Sequence, residues 1–325
     1  MNIYNDLFVL GLVLLTALLF IFFIPLIKRH KWGQNIRAEG PQKHLTKAGT
    51  PTMGGIIIVA TTMMGIVFLN IFFKIEYDIR KLILLIIPFL GYAIIGFLDD
   101  YLIIKRHNNK GLKPNLKFIF ELILAAAFYF VYLELGYENT LNFFGIPIKL
   151  SFVYGVFIVL LFAGFTNATN FTDGLDGLLG MVSITSFIGI GILAYIKGET
   201  LVCYVSIIIV SVIIAFLIFN LPKALIFMGD TGSLAIGALI VGLLIILKCE
   251  ILIVFFGFIY LLEVVSVMLQ VWYFKRTKGR RILKMAPFHH HLELSGYTEI
   301  KIDLLFMIIN LSMSILGIYL GVKIF

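Results

Sequence analysis

Long apolar runs alternate along the chain with short stretches that hold most of its polar residues. A helix needs about 20 residues to cross the ~30 Å hydrocarbon core of a bilayer. Runs near that length fall at 7–27, 54–73, 82–98, 118–135, 152–165, 178–196, 201–219, 234–247, 251–274 and 304–322. Several are short or lightly interrupted, which sets the expected number of spans at about ten, between nine and eleven. The pattern predicts an all-α polytopic integral membrane protein with a single transmembrane domain over residues 1–325. The first run is too long for a signal-peptide core, is followed rather than preceded by its positive residues, and lacks a small-residue cleavage site. It is expected to be a retained helix.

Composition agrees. With 61% hydrophobic and 14% charged residues and a mean hydropathy of +1.05, the chain has too little charge to cover a water-soluble globule. Cys203 and Cys249 lie in or beside apolar runs without CxxC or Cys/His spacing, so packing roles are expected rather than a disulfide or a zinc site.

Charge adds an orientation. Of 26 Lys and Arg residues, 19 fall in one set of loops and six in the opposite set, with Lys323 near the chain end on the poorer side. Cation-rich loops stay in the cytoplasm, so both termini are expected outside. The richer side also carries Asp99, Asp100, Asp173, Asp176 and Asp230. Carboxylates gathered among cations suit a site that handles phosphates together with a divalent ion.

Each polar motif has a structural and a functional reading. "GFLDDY" (96–101) puts Asp99 and Asp100 at the carboxyl end of an apolar helix, where the dipole disfavours a carboxylate by about 0.3–1 kcal/mol. The pair is a stop signal neutralised by Lys105 and Arg106, or a set of hard oxygen ligands for magnesium. In "NFTDGLDGL" (170–178), Asp173 and Asp176 stand at i and i+3, on one face if the segment is helical. Asp173 alone would do as a cap for the sixth helix; with Asn167 and Asn170 added, the group reads better as a hydrogen-bonding site for a polar ligand. "FMGDTGSL" (227–234) starts a helix at Asp230, as an N-cap or as a glycine-rich phosphate site.

"KAGTPTMGG" (47–55) lacks the GK[ST] ending of a P-loop. It is a plain loop, or one whose Lys47 and Thr52 contact phosphate. "MAPFHHHLELSG" (285–296) follows "KRTKGRR", a run that also reads as a lipid-surface anchor. Consecutive histidines point in different directions, so one or two of them contacting a phosphate or nucleotide is expected rather than three on one metal. Glu263 lies mid-run, where a charge costs about 2.5–3.5 kcal/mol or more; it is either buried and protonated or set in a broken helix.

A cation-coupled transporter would hold its acids near the bilayer midplane between repeats. Here the acids cluster on one face and no internal repeat is visible, which favours a membrane-embedded transferase joining a soluble nucleotide-activated donor to a lipid phosphate. In order and spacing, "HLTKAGTPTMGG", "GFLDDY", "NATNFTDGLDGL", "FMGDTGSLA", "EVVSVMLQ" and "PFHHHLELSG" resemble the phospho-N-acetylmuramoyl-pentapeptide-transferases over essentially the whole chain. These belong to the superfamily of polyprenyl-phosphate N-acetylhexosamine-1-phosphate transferases. The "PTMGG" loop and the triple histidine favour this branch over the sister N-acetylglucosamine-1-phosphate transferases.

The resemblance implies ten helices with both termini outside, a homodimer, and a place in the bacterial plasma (inner) membrane with the active site facing the cytoplasm. It implies, in peptidoglycan synthesis, a magnesium-dependent reaction of UDP-N-acetylmuramoyl-pentapeptide with undecaprenyl phosphate to give lipid I and UMP; no nucleic-acid partner is expected. Asp99, Asp100 and Asp230 match the family's essential acids, and Asp230 its magnesium ligand. Lys47, Thr52, Asn170, Asp173, Asp176, Asn220, Phe227, Gln270, His289 and His290 fall on positions of its nucleotide-sugar pocket, and His291 is grouped with them. A Lys common three residues after the aspartate pair is Ile103 here. Lys105, Lys110 or Lys117 is expected to supply that charge, and Lys117 joins the substrate-binding set. The expected chemistry is direct attack by the lipid phosphate, with Asp99 orienting or deprotonating it and Asp100 supporting the site's charge; a covalent phospho-aspartate is the rival route.

Overall fold

A computed structural model of the chain describes residues 3–30, 32–33, 47, 49–73, 76–106, 111–143 and 145–324. Its helices follow the apolar runs. They are α1 (Ile3–Arg29), α2 (Gly55–Phe73), α3 (Ile79–Arg106), α4 (Pro114–Glu134), α5 (Phe152–Thr172), α6 (Leu178–Ile196), α7 (Thr200–Asn220) and α8 (Asp230–Ile246). A 3-10 turn then leads into α9 (Ile253–Phe256), followed by α10 (Phe258–Arg276), α11 (Phe288–Glu293) and α12 (Glu299–Ile324). Eight helices among the described residues are long and apolar enough to cross a membrane, and the apolar stretches Gly55–Leu69 and Asp230–Ile246 are shorter. The chain is a mostly helical, polytopic integral membrane protein.

One correction applies to the all-α expectation. Strands β1 (Thr140–Phe143) and β2 (Ile146–Lys149) form an antiparallel hairpin between α4 and α5, with Thr140 opposite Lys149 and Phe143 opposite Ile146. Gly145 turns between them at φ +85°, a conformation that costs glycine no Cβ clash.

Helix α8 is the axis of the packing. It has 17 residues, and every one from Thr231 to Ile246 is buried. Its rise of about 26 Å falls short of the hydrocarbon thickness, yet it faces protein instead of lipid because α2, α3 and α5 enclose it. Gly232, Ser233, Ala235, Gly237 and Ala238 keep its surface narrow, and small residues are what allow helix backbones to approach closely without a water-driven force. The most extensive contact is with α3. There a Cβ on Gly96 would collide with the Asp230 carbonyl, so glycine brings the next turn of α3, with Asp99 and Asp100, against the start of α8.

The ninth apolar run is broken at Gly257, between α9 and α10. Backbone groups freed at membrane depth need partners, and Asn310 of α12 contributes them. Its Oδ1 accepts from the Ile259 N–H at 3.4 Å and its Nδ2 lies 3.4 Å from the Phe256 carbonyl.

The crossing of α3 and α8 is backbone on one side and helix on the other, so nothing there yields to an added methyl group. Gly96→Ala is expected to lower stability by about 1–3 kcal/mol, the usual range for overpacking. Thermal melts of the detergent-solubilised protein check this against Gly11→Ala, whose Cβ meets nothing within 4 Å and which should hold or slightly raise the midpoint, since alanine favours a helix interior over glycine.

Candidate active site

Helix direction alternates, so α3, α5 and α7 end where α4, α6 and α8 begin. That alternation gathers the polar motifs at one end of the bundle. Helix α3 does not stop at its aspartates, as their position at the end of an apolar run suggested; it continues to Arg106. Asp99 and Asp100 therefore lie inside a helix, 8% and 5% exposed. The partner that their burial demands is the amino end of α8. Asp100 Oδ1 accepts from the Asp230 N–H at 3.1 Å, and Oδ2 accepts from the Thr231 N–H at 3.0 Å and its hydroxyl at 2.6 Å. The N-cap position is Gly229, which supplies no side-chain cap. With φ at +76° it also leaves room for the carboxylate, since a Cβ there would sit 2.6 Å from Asp100 Oδ2. Asp230 is thus the first helical residue and is not its own N-cap.

The Asp230 carboxylate faces the other way. Its Oδ2 accepts from the Lys117 ammonium of α4 and from Asn170 Nδ2 of α5 at 3.2 Å. Asn170 Oδ1 in turn accepts from the Ser233 hydroxyl at 3.3 Å. Asp99 Oδ1 accepts from the Leu112 N–H at 2.9 Å, and Arg106 donates to the Gly111 carbonyl at 2.9 Å, folding residues 111–113 back over α3. Of the three lysines expected to supply the charge, Lys117 meets Asp230, Lys105 lies over the Tyr101 ring at 5.9 Å, and Lys110 falls outside the described residues, as do residues 44–46 and 48 of the first motif.

The two aspartates of the 170–178 segment part company, because residues 173–177 turn instead of continuing a helix. Asp173 occupies the C-cap of α5, not the N-cap of α6, which is Gly177. Asp176 faces away to another group. It accepts from Lys47 Nζ at 2.7 Å and from the Ala224 N–H at 3.0 Å, while Glu299 also takes Lys47 Nζ at 2.7 Å. Burial works against the Lys47 charge, and the bonds to Asp176 and Glu299 outweigh it, holding the ammonium above its ordinary pKa. Asn220 is consumed by backbone, accepting from the Gly177 N–H at 3.0 Å and donating to the Ile226 carbonyl at 2.8 Å.

Buried Thr52 lies in a loop stitched to the approach of α8. The Phe227 N–H donates to the Pro51 carbonyl at 2.8 Å, and the Gly54 and Gly55 N–H groups donate to the Phe227 and Met228 carbonyls at 2.9 Å each. Gln270 is likewise engaged by backbone, accepting from the Ile282 and Leu283 N–H groups at 3.1 and 3.0 Å.

The three histidines take three directions. His291 Nδ1 accepts from the Lys284 N–H at 3.1 Å, His290 Nδ1 is 3.2 Å from Glu293 Oε2, and His289 is wholly buried against Glu263. Of the two expectations for Glu263, burial is the one the structure gives: it sits in unbroken α10 beyond the break, with no exposed surface. Sequence reasoning also missed Glu121. It lies one turn beyond Lys117 on α4 and accepts from Asn167 Nδ2 at 2.6 Å, while its buried Oε1 finds no partner among the described residues. An acid within an apolar run at i+4 from Lys117 was the available signal. Glu299 had none, since an acid in a first helical turn is ordinary.

Among the described residues no three His, Cys, Asp or Glu side chains gather as a metal cage. Asp230 and Asp99 do offer hard oxygens beside one another's helices. That donor set fits an ion held by one or two carboxylates and otherwise by substrate phosphates, the usual habit of magnesium.

Comparison with known proteins places the chain in a family. Residues 81–248, from the start of α3 to just past α8, match the model of glycosyl transferase family 4. Residues 47–59 match the phospho-N-acetylmuramoyl-pentapeptide-transferase signature 1. The phospho-N-acetylmuramoyl-pentapeptide-transferase of Staphylococcus carnosus (strain TM300) is 42% identical over 318 residues, covering 95% of this chain and 97% of that protein. Its counterpart from Staphylococcus saprophyticus is 40% identical over 320 residues, 96% of this chain and 97% of that protein. With identity of this level running from α1 to α12 and the signature on the loop that braces α8, the chain belongs to the phospho-N-acetylmuramoyl-pentapeptide-transferase family.

Proposed function

We propose that the protein transfers phospho-N-acetylmuramoyl-pentapeptide from its UDP-linked donor to undecaprenyl phosphate, giving lipid I and UMP in peptidoglycan synthesis. The observation that carries this reading is Asp230, braced from behind by Asp100 and met in front by Lys117 and Asn170. The family's relatives bear the name of this reaction. In this reading the chain lies in a bacterial plasma membrane with both termini outside and the Asp230 end toward the cytoplasm, as a homodimer. The 19 cations on that side support the orientation.

An oxygen of the acceptor phosphate attacks the β-phosphorus of the donor. The bond from that phosphorus to the bridging oxygen breaks, and UMP leaves with the oxygen and its electron pair. A phosphate monoester has its second pKa near about 6 and is mostly dianionic at neutral pH, so no strong base is required. The demand is charge neutralisation where two anions meet. Lys117 supplies a fixed cation, Asn170 fixes the Asp230 carboxylate, and Asp99 orients the acceptor. Magnesium, held by Asp230 and by substrate phosphates, would neutralise further charge. Asp100 positions Asp230, because its oxygens already take three donors; that engagement makes it a poor nucleophile and supports the direct route over a phospho-aspartate.

Asp173 lies beside this centre. Loss of hydration, followed by the neighbouring Asp230 and Asp100 carboxylates, pushes its pKa well above the usual carboxylate value. The folded state therefore keeps a proton that the unfolded chain releases at about pH 4, and stability falls as pH rises above that value.

The direct assay is UMP release on mixing purified protein, UDP-N-acetylmuramoyl-pentapeptide and undecaprenyl phosphate with magnesium. Release only with UDP-N-acetylglucosamine would move the protein to the sister branch, and ion flux without UMP would make it a transporter. Lys117→Met is expected to lower kcat by about 10²–10³-fold, the range for removing one preorganised charge-stabilising donor, and Asp230→Asn to raise the magnesium concentration needed for half-maximal rate. Asp173→Asn should raise the thermal midpoint over the wild type at pH 8 and barely change it at pH 4, where both side chains are neutral. A pH-independent difference would mean that Asp173 ionises normally.

A further inference from the structure

Glu263 sits on a span where an acid without a partner is costly, and the mechanism above does not use it. Both of its oxygens go to one residue. Oε1 accepts from the His289 backbone N–H at 3.1 Å, and Oε2 lies 2.9 Å from His289 Nδ1, with both residues fully buried. A carboxylate has only acceptors to offer, so the Nδ1 opposite it carries the ring proton. The pairing places the ring proton on Nδ1, and in the neutral imidazole Nε2 then keeps its lone pair. Nε2 is buried and has no hydrogen-bond partner among the described residues. It points at Gly174, where a Cβ would collide with it. Gly174 lies in the turn between Asp173 and Asp176, and its lack of a side chain is what lets Nε2 approach that turn.

We propose that Glu263 is a positioning residue, fixing the tautomer and angle of His289 so that Nε2 accepts a hydrogen bond from an N–H or O–H of the nucleotide donor bound at the 173–177 turn. The donor's identity rests on the function proposed above; the tautomer does not. Glutamine at 263 has nearly the same shape but one acceptor and one donor. With its oxygen on the His289 N–H, its amide NH₂ faces Nδ1 and drives the ring proton to Nε2, turning an acceptor into a donor.

Two measurements on the full-length protein in detergent test this. The first is ¹⁵N NMR of histidine-labelled protein, with His289→Gln assigning the signal. The expected result is a proton on Nδ1 alone in the wild type and on Nε2 in Glu263→Gln; a wild-type ring protonated on Nε2, whether alone or together with Nδ1, would overturn the proposal whatever the protein's substrate. The second is a double-mutant cycle on donor kcat/KM. Glu263→Gln should lose about 10–100-fold, as when a carboxylate that orients a working histidine is removed, with Glu263→Asp recovering part of it. In a His289→Gln background, Glu263→Gln should cost little more. An equal loss in both backgrounds, with thermal midpoints shifted alike, would mean that Glu263 serves only the packing of α10 and overturn the positioning role. Absence of UMP release from the wild type, with the NMR result as expected, would sink the proposed reaction and leave the tautomer assignment standing.

Discussion

A helix that starts inside an apolar bundle leaves its first backbone N–H groups without water and without intrahelical partners. Helix α8 starts in that way, and its N-cap is a glycine that has nothing to offer. Asp100, reaching across from α3, accepts from the first two N–H groups and from the Thr231 hydroxyl. The acid also meets the positive end of the helix dipole, where negative charge is favoured. Everything at the candidate site is built on that brace. It sets where Asp230 begins, and Lys117 from α4 and Asn170 from α5 converge on the carboxylate so held.

The polar residues at this end divide their labour accordingly. Asp100, Asp176, Asn220 and Gln270 spend their hydrogen-bonding capacity on backbone and neighbouring side chains, closing the loops that carry the site. Asp230, with a side chain 21% exposed, and Lys117, 15% exposed, keep some access to solvent and so to a phosphate-bearing substrate. The division matters because a buried polar group left half-satisfied costs more than an apolar one. Glu263 and His289 repeat the scheme on α10 and α11, one group committed so that a single nitrogen of the other stays open.

Much of this was legible in the chain itself. The apolar runs located the long helices to within a few residues at most ends, because helix length in a bilayer is dictated by hydrocarbon thickness. The motif order carried the family, and clustered acids on the cation-rich side singled out Asp99, Asp100, Asp173, Asp176 and Asp230. The ends were less legible. Helix α3 runs on to Arg106 and α5 to Thr172, because polar residues near the bilayer surface can remain helical when neighbouring helices satisfy their side chains.

What the sequence by itself determined, then, was the mostly helical, polytopic character of the chain and the set of polar residues that the apolar runs leave between them. The tertiary structure decided what each of those residues does there. Asp173 and Asp176 are three residues apart yet meet opposite surroundings, Asp173 lying near the like-charged Asp230 and Asp176 binding Lys47; Asp99 and Asp100 are adjacent yet one ties a loop and the other caps a helix. Spacing along a chain fixes which side chains share an element, but hydrogen-bond partners come from other elements across the bundle, and only packing brings those within 3 Å.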